Sequence, residues 1–190
     1  MPVPDPLAAR TATALCEAVA AGATPKYLCF WGHTAPAGAP VGPTCLSQWF
    51  PAAFTVDGVA YRTAEHWMMA EKARLFGDAE ALDRILAAAH PGAAKRAGRE
   101  VRGYDDDAWA AARFDVVVRG NAAKFDQHPD LAAFLRTTAN RVLVEASPRD
   151  RVWGIGLTGD DDRATDPFLW RGENLLGFAL MAVRARLAGG

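Results

Sequence analysis

The sequence predicts an α+β fold: a single compact, mainly helical domain with a small sheet. Three observations point there. The 190 residues suffice for one domain with a proper core. Helical spacing of apolar residues recurs along the chain, whereas β-type runs are few and short. Those runs do not alternate regularly with helices, as a doubly wound parallel sheet requires. Residues 1–25 are expected as an N-terminal helical extension, and 26–190 as the main domain.

Residues 5–21, DPLAARTATALCEAVAA, suit a helix with Leu7, Leu15, Ala18 and Val19 as its apolar positions. Lys26–Trp31 is a short strand-like run, and residues 32–44 form a Gly- and Pro-rich loop. Asp57-Gly58 between alternating residues signals a hairpin. The hairpin leads into Tyr61–Phe76, YRTAEHWMMAEKARLF, the stretch around which the chain is organised. Thr63 can cap a helix there, Glu65 falls in its first turn, and Gly77 stops it. Glu65, Met68, Met69 and Lys72 share one face at i, i+3, i+4 and i+7 spacing. The acid and the amine lie on or beside the apolar stripe, so both are candidates for burial.

Asp78–His90 reads as a second helix, ended by His90-Pro91-Gly92, and Ala93–Arg102 as a short basic one. Asp105 to Asp107 can cap a longer helix through Lys124. Pro129–Thr138 is a further short helix, and Arg141–Ala146 the clearest strand of the C-terminal half. After the loop Ser147–Leu157, residues Asn174–Leu187 form an amphipathic helix with Leu175, Leu176, Ala179, Leu180, Val183 and Leu187 inward.

Lys plus Arg number 21 against 22 Asp plus Glu, so no basic excess argues for broad phosphate-backbone binding. Cys16, Cys29 and Cys45 lack metal-ligand spacing and read as reduced thiols. Asp5 stands where a signal peptide carries positive charge, and no run reaches membrane-span length. A cytoplasmic location is expected.

No phosphate loop, HExxH metal motif or GxSxG elbow is present. Carboxylates, amines and aromatics remain. Glu65 and Lys72 make either a scaffold ion pair or the frame of a small-ligand site. In the second case a partly buried lysine serves as nucleophile, and a partly buried glutamate as general acid. Ser147, Asp150 and Trp153 make either a capped turn with a core tryptophan or a catalytic loop after a strand. Trp31 and Trp109 suit the core, because tryptophan is highly buried on average, with a ligand platform as the alternative. Asn174 most simply caps the last helix. Arg96, Arg99 and Arg102 most simply read as a solvated face, with phosphate binding as the alternative.

One ordered set of motifs is specific as a whole. It comprises Ser47-Gln48-Trp49-Phe50, the segment Tyr61–Trp67 with Lys72, and Asn121 with Lys124-Phe125. It continues with Glu145-Ala146-Ser147 and Asp150, Trp153-Gly154-Ile155-Gly156, and Gly172–Gly177. In this order they resemble the NADAR family of NAD- and ADP-ribose-associated proteins, over residues 28–187. The resemblance implies a mainly helical α+β N-glycosidase that hydrolyses a ribose C1–N bond without metal or cofactor. Its expected substrate is a small-molecule ribosylamino-pyrimidine phosphate of riboflavin synthesis, or an ADP-ribosylated guanine, which would make modified nucleic acid a partner. It further implies that Glu65, Lys72 and Asp150 are catalytic, with Lys72 engaging the anomeric carbon. Ser47, Trp109, Trp153 and Asn174 are implied to bind substrate. Ser47-Gln48-Trp49-Phe50 departs from the family's usual SNF pattern, and Met68 and Met69 also depart, so the pocket lining is this chain's own. A non-catalytic ADP-ribose-binding module is the alternative.

Overall fold

The computed structural model describes residues 2–189. In chain order the elements are α1 (Ala12–Ala20), β1 (Lys26–Phe30), β2 (Phe54–Val56), β3 (Val59–Tyr61), α2 (Ala64–Leu75) and α3 (Ala79–Ala87). They continue with α4 (Pro91–Arg99), α5 (Asp106–Asp126), α6 (Pro129–Thr137), β4 (Arg141–Glu145) and α7 (Leu175–Ala188). The mainly helical α+β class is as the sequence predicts. Its strands form two separate two-stranded sheets. The chain divides into two compact units: Gln48–Pro129, and the segments before and after it.

In the split unit, β1 and β4 pair in parallel, from Lys26 opposite Arg141 to Phe30 opposite Glu145. Val142, Leu143 and Val144 are fully buried, the continuous apolar run that a covered parallel strand requires. Helix α7 lies on β4. A side chain at Gly177 would collide with the Leu143 carbonyl oxygen, so only glycine allows this helix–strand distance. Four of the inward positions expected on α7, Leu176, Ala179, Leu180 and Val183, are fully buried, while Leu187 is half-exposed.

The helix expected over 5–21 is broken. Asp5 starts a 3₁₀ turn, Pro6–Ala8, by accepting from the Leu7 N–H, and Thr11 caps a fresh start by accepting from the Ala14 N–H at 3.1 Å. Two caps in seven residues make two elements. Leu15 and Ala18 of α1 are fully buried.

In the continuous unit, Asp57 and Gly58 both adopt positive φ (50° and 78°), as a tight turn between β2 and β3 requires. Helix α2 packs against α3, α4 and α5. The sequence predicts one buried face, but eight of its twelve residues are buried, because neighbours surround it. Gly120 of α5 permits one of these approaches, since a Cβ there would strike the buried Trp67 ring. The His90-Pro91 signal ends α3 and also starts α4: Pro91 opens the helix, and His90 Nδ1 accepts from the Ala93 N–H at 3.2 Å. Arg102 lies beyond α4 rather than on its face. It pairs with Asp78 at 2.8 Å and Glu80 at 3.0 Å, and holds the buried Asp78 carboxyl far below the ordinary carboxylate range.

Candidate functional site

Glu65, Lys72 and Trp109 lie in the continuous unit; Ser47, Asp150, Trp153 and Asn174 lie in the split one. Each group is held by local chemistry.

Thr63 is extended and caps α2 as predicted, its Oγ1 accepting from the His66 N–H at 3.4 Å. His66 Nε2 lies 3.1 Å from the Ala88 carbonyl oxygen, and Nδ1 lies 2.8 Å from Thr63 Oγ1. A carbonyl only accepts, so Nε2 carries a proton; in the neutral ring Nδ1 then accepts from the threonine hydroxyl. Burial lowers the ring's pKa below the ordinary value, and Arg62 and His90 add to that against the Ala88 bond. Below about pH 6.5 the unfolded chain takes up a proton that folded His66 refuses. Stability contributed by the neutral ring is complete above that pH and is lost as pH falls from there toward the lowered folded value. Denaturant midpoints measured from about pH 7.5 down to 5 are expected to fall more steeply for wild type than for His66→Gln. Parallel curves would show that the fold does not hold this ring neutral.

Glu65 follows in the first turn, where the helix dipole favours negative charge. Its side chain is 2% exposed, and its N–H donates to the Gln48 carbonyl at 2.9 Å. Gln48 then reaches α5, where its Oε1 accepts from Asn121 Nδ2 at 2.8 Å. Asn121 Nδ2 also donates to the Val117 carbonyl at 2.9 Å. One turn on, Lys124 is fully buried, with Nζ 5.6 Å from the Phe50 ring centre and 5.1 Å from that of Phe125. Reasoning from the sequence gave Lys124 no role. The available signals were its place beside Phe125 in the ordered motif set and its i+3 spacing from Asn121.

Lys72 is half-buried, with Nζ 3.9 Å from the Tyr104 ring centre. Burial lowers its pKa and Arg99 adds to this, while Asp106 opposes it. Trp109 sits in the first turn of α5, buried, behind an Asp105 cap whose carboxylate accepts from the Ala108 N–H at 2.8 Å.

In the other unit, Ser47 is buried at the end of the 3₁₀ turn Pro43–Leu46, its N–H donating to the Thr44 carbonyl. Asp150 Oδ1 accepts from the N–H groups of Val152 (3.0 Å) and Trp153 (2.8 Å), and the Asp150 N–H donates to Ser147 Oγ at 3.3 Å. Half-buried Trp153 and its neighbours turn their carbonyls onto the start of α7. Val152, Trp153 and Gly154 accept from Leu175, Leu176 and Asn174. One of these, the Leu176 N–H, is a group that a side-chain cap would otherwise serve. Asn174, at φ 54°, accordingly makes no cap bond. Its Oδ1 accepts from the Glu145 N–H and its Nδ2 donates to the Leu143 carbonyl, both at 2.9 Å, clipping α7 to β4.

Among the described residues no cluster of three or more His, Cys, Asp or Glu is placed to hold a metal ion, and no helix is long and apolar enough to cross a membrane.

The fold and these motifs define a class: the chain belongs to the NADAR family, whose domain model matches residues 29–188. It is 41% identical over 166 residues to N-glycosidase R617 of Acanthamoeba polyphaga mimivirus, covering 85% of this chain and 96% of that protein. It is 34% identical over 133 residues to N-glycosidase YbiA of Escherichia coli K12, covering 70% and 74%. A similar identity, 34% over 140 residues, relates it to the chloroplastic riboflavin biosynthesis protein PYRR of Zea mays, covering 70% of this chain and 21% of that one. The NMR structure of E. coli YbiA superposes with a TM-score of 0.69 at 28% identity, covering 86% of this chain and 85% of that one.

Proposed function

We propose that the protein is an N-glycosidase that hydrolyses the ribose C1–N bond of a phosphorylated or ADP-ribosylated substrate, with residues 26–190 as its catalytic part. The carrying observation is Glu65, a carboxyl group 2% exposed in the first turn of a buried helix. Relatives named N-glycosidases support the same reading. Cleavage develops positive charge on the ribose and negative charge on the departing nitrogen. A fixed carboxylate stabilises the first, a role for Glu65 or for Asp150, whose Oδ1 is held by two backbone N–H groups. Protonating the leaving nitrogen contributes about 10²–10⁴-fold. Thiols at Cys16 and Cys29 favour a reducing, cytoplasmic setting.

The lowered pKa of Lys72 supports a covalent route, because a larger share of the amine is unprotonated and nucleophilic. In that route the Nζ lone pair attacks C1 of the ring-opened sugar. The C1–N bond breaks, the base leaves with a proton, and an imine forms. Water then adds to the imine and releases the sugar and the free lysine. Borohydride added during turnover is expected to leave a substrate-dependent mass increase on Lys72. Turnover that continues without any trapped adduct would establish direct attack by water.

The protein incubated separately with ADP-ribosylated guanine DNA and with a ribosylamino-pyrimidine phosphate is expected to release base or amine from at least one. Tight calorimetric binding of ADP-ribose with no turnover of either substrate would instead establish a binding module.

A further inference from the structure

Lys124 is a buried charge that the chemistry outlined above does not use. It lies on α5 in the continuous unit, fully buried. The other charged side chains of α3, α4 and α5 are exposed or, at Lys95 and Arg113, half-buried. These are the three helices that pack against α2. A buried ammonium is costly unless a counter-charge matches it. The rings of Phe50 and Phe125 supply part of that match, their centres 5.6 and 5.1 Å from Nζ, within reach of a cation–π contact. A carboxylate supplies the rest.

Among the described residues of this unit two carboxyl groups are buried, Glu65 and Asp78. Asp78 is held by Arg102 and by the Ala81 N–H. Glu65 is tied to the helix that carries Lys124. Its N–H donates to the Gln48 carbonyl, the Gln48 side chain accepts from Asn121, and Lys124 stands one turn after Asn121. The two amides on this path do not serve the carboxyl group. Both Asn121 N–H donors are engaged, by Gln48 Oε1 and the Val117 carbonyl. Gln48 Nε2 has no hydrogen-bond partner among the described residues. His66, next to Glu65, faces Thr63 and the Ala88 carbonyl. What remains to match Glu65 is the Lys124 ammonium.

The match decides what Glu65 can do. Burial alone favours a neutral carboxyl group, which could protonate the leaving nitrogen. An opposite charge within about 4–6 Å favours the carboxylate, which stabilises positive charge on the ribose. We propose that Lys124 is a positioning residue for the reaction: its ammonium lies against the Glu65 carboxylate and keeps it ionised. Glu65 is then the stabiliser of the ribose cation and not the acid, and the departing nitrogen takes its proton from water. The proposal rests on the N-glycosidase reading for the cation; the charge pairing does not depend on it.

Infrared difference spectra between the full-length wild type and Glu65→Gln at neutral pH read the charge without substrate. Loss of a carboxylate band in the variant is expected; loss of a protonated-acid carbonyl band would overturn the proposal. Melting temperatures of Glu65→Gln, Lys124→Met and the double variant test the partner. Each single change leaves one buried charge unmatched, so the loss in the double variant is expected to be smaller than the sum of the single losses. A simple sum overturns the pairing. If Lys124→Met does not fold, the double variant is expected to recover folding, and its failure to do so counts equally against the pairing.

The pH profile separates positioning from a purely structural role. Lys124→Met is expected to move the acidic limb of kcat/KM upward by about one to three pH units, because the unmatched carboxyl group protonates at higher pH. Lys124→Arg, which keeps the charge, is expected to leave that limb in place. A limb unmoved in Lys124→Met overturns the proposal. An ionised, Lys124-matched Glu65 in a protein that turns over no ribosyl substrate would sink the enzyme reading alone. Turnover with a protonated Glu65 would sink the Lys124 role alone.

Discussion

Glu65→Gln is expected to lower kcat by about 10²–10⁴-fold on whichever ribosyl substrate the protein turns over, with the chain still folded. Glutamine keeps the shape of the side chain and removes only its capacity to ionise or carry a proton. The substitution leaves the Thr63 cap untouched, as well as the backbone bond from residue 65 to Gln48, since neither uses the Glu65 carboxyl. A role confined to structure gives another pattern: breaking a buried charge network costs about 3–5 kcal/mol. Thermal melting recorded beside kcat distinguishes the two. Normal turnover, or a collapsed melting temperature with undiminished activity per folded molecule, would remove Glu65 from the chemistry.

Gly177→Ala is expected to destabilise the fold by about 3 kcal/mol or more, at the upper end of overpacking costs. The new methyl would collide with the Leu143 carbonyl oxygen, and would sit 2.6 and 2.7 Å from the Asn174 amide atoms. Backbone on one side and a fully buried clip on the other leave no easy relaxation. Relieving the clash would also loosen the two bonds by which Asn174 holds Glu145 and Leu143, each worth about 1 kcal/mol. For a chain of this length the expected fall in melting temperature is about 6–12 °C. Gly42→Ala is the control: its nearest neighbour would be the Pro40 carbonyl at 3.8 Å, so its melting temperature should stay near wild type. Equal melting of the two variants would mean that α7 does not depend on its close approach to β4.

Much of this was legible in the residues. Thr63 and Asp105 cap helices through their own side chains within three residues. Asp57-Gly58 makes its turn from two residues. The Arg141–Glu145 strand announces itself by an unbroken apolar run. Less legible were features whose outcome depends on competition. Thr11 divided the first helix because a second cap was available there. Asn174 makes no cap bond because the Trp153 carbonyl takes the Leu176 N–H and its own amide is engaged by Glu145 and Leu143. Spacing marked Glu65 and Lys72 as candidates for burial but not their separate surroundings: Glu65 is nearly inaccessible, while Lys72 is half-buried over Tyr104.

By itself, then, the sequence determined the α+β class, most of the caps and turns, and the ordered motifs that mark the family. Each of these depends on contacts within a few residues or on residue order. Tertiary structure alone decided that Lys124 is buried, that Trp31 stands exposed, and that Asn174 clips a strand. Burial is a property of what distant segments bring to a side chain, and no local pattern encodes how closely they approach.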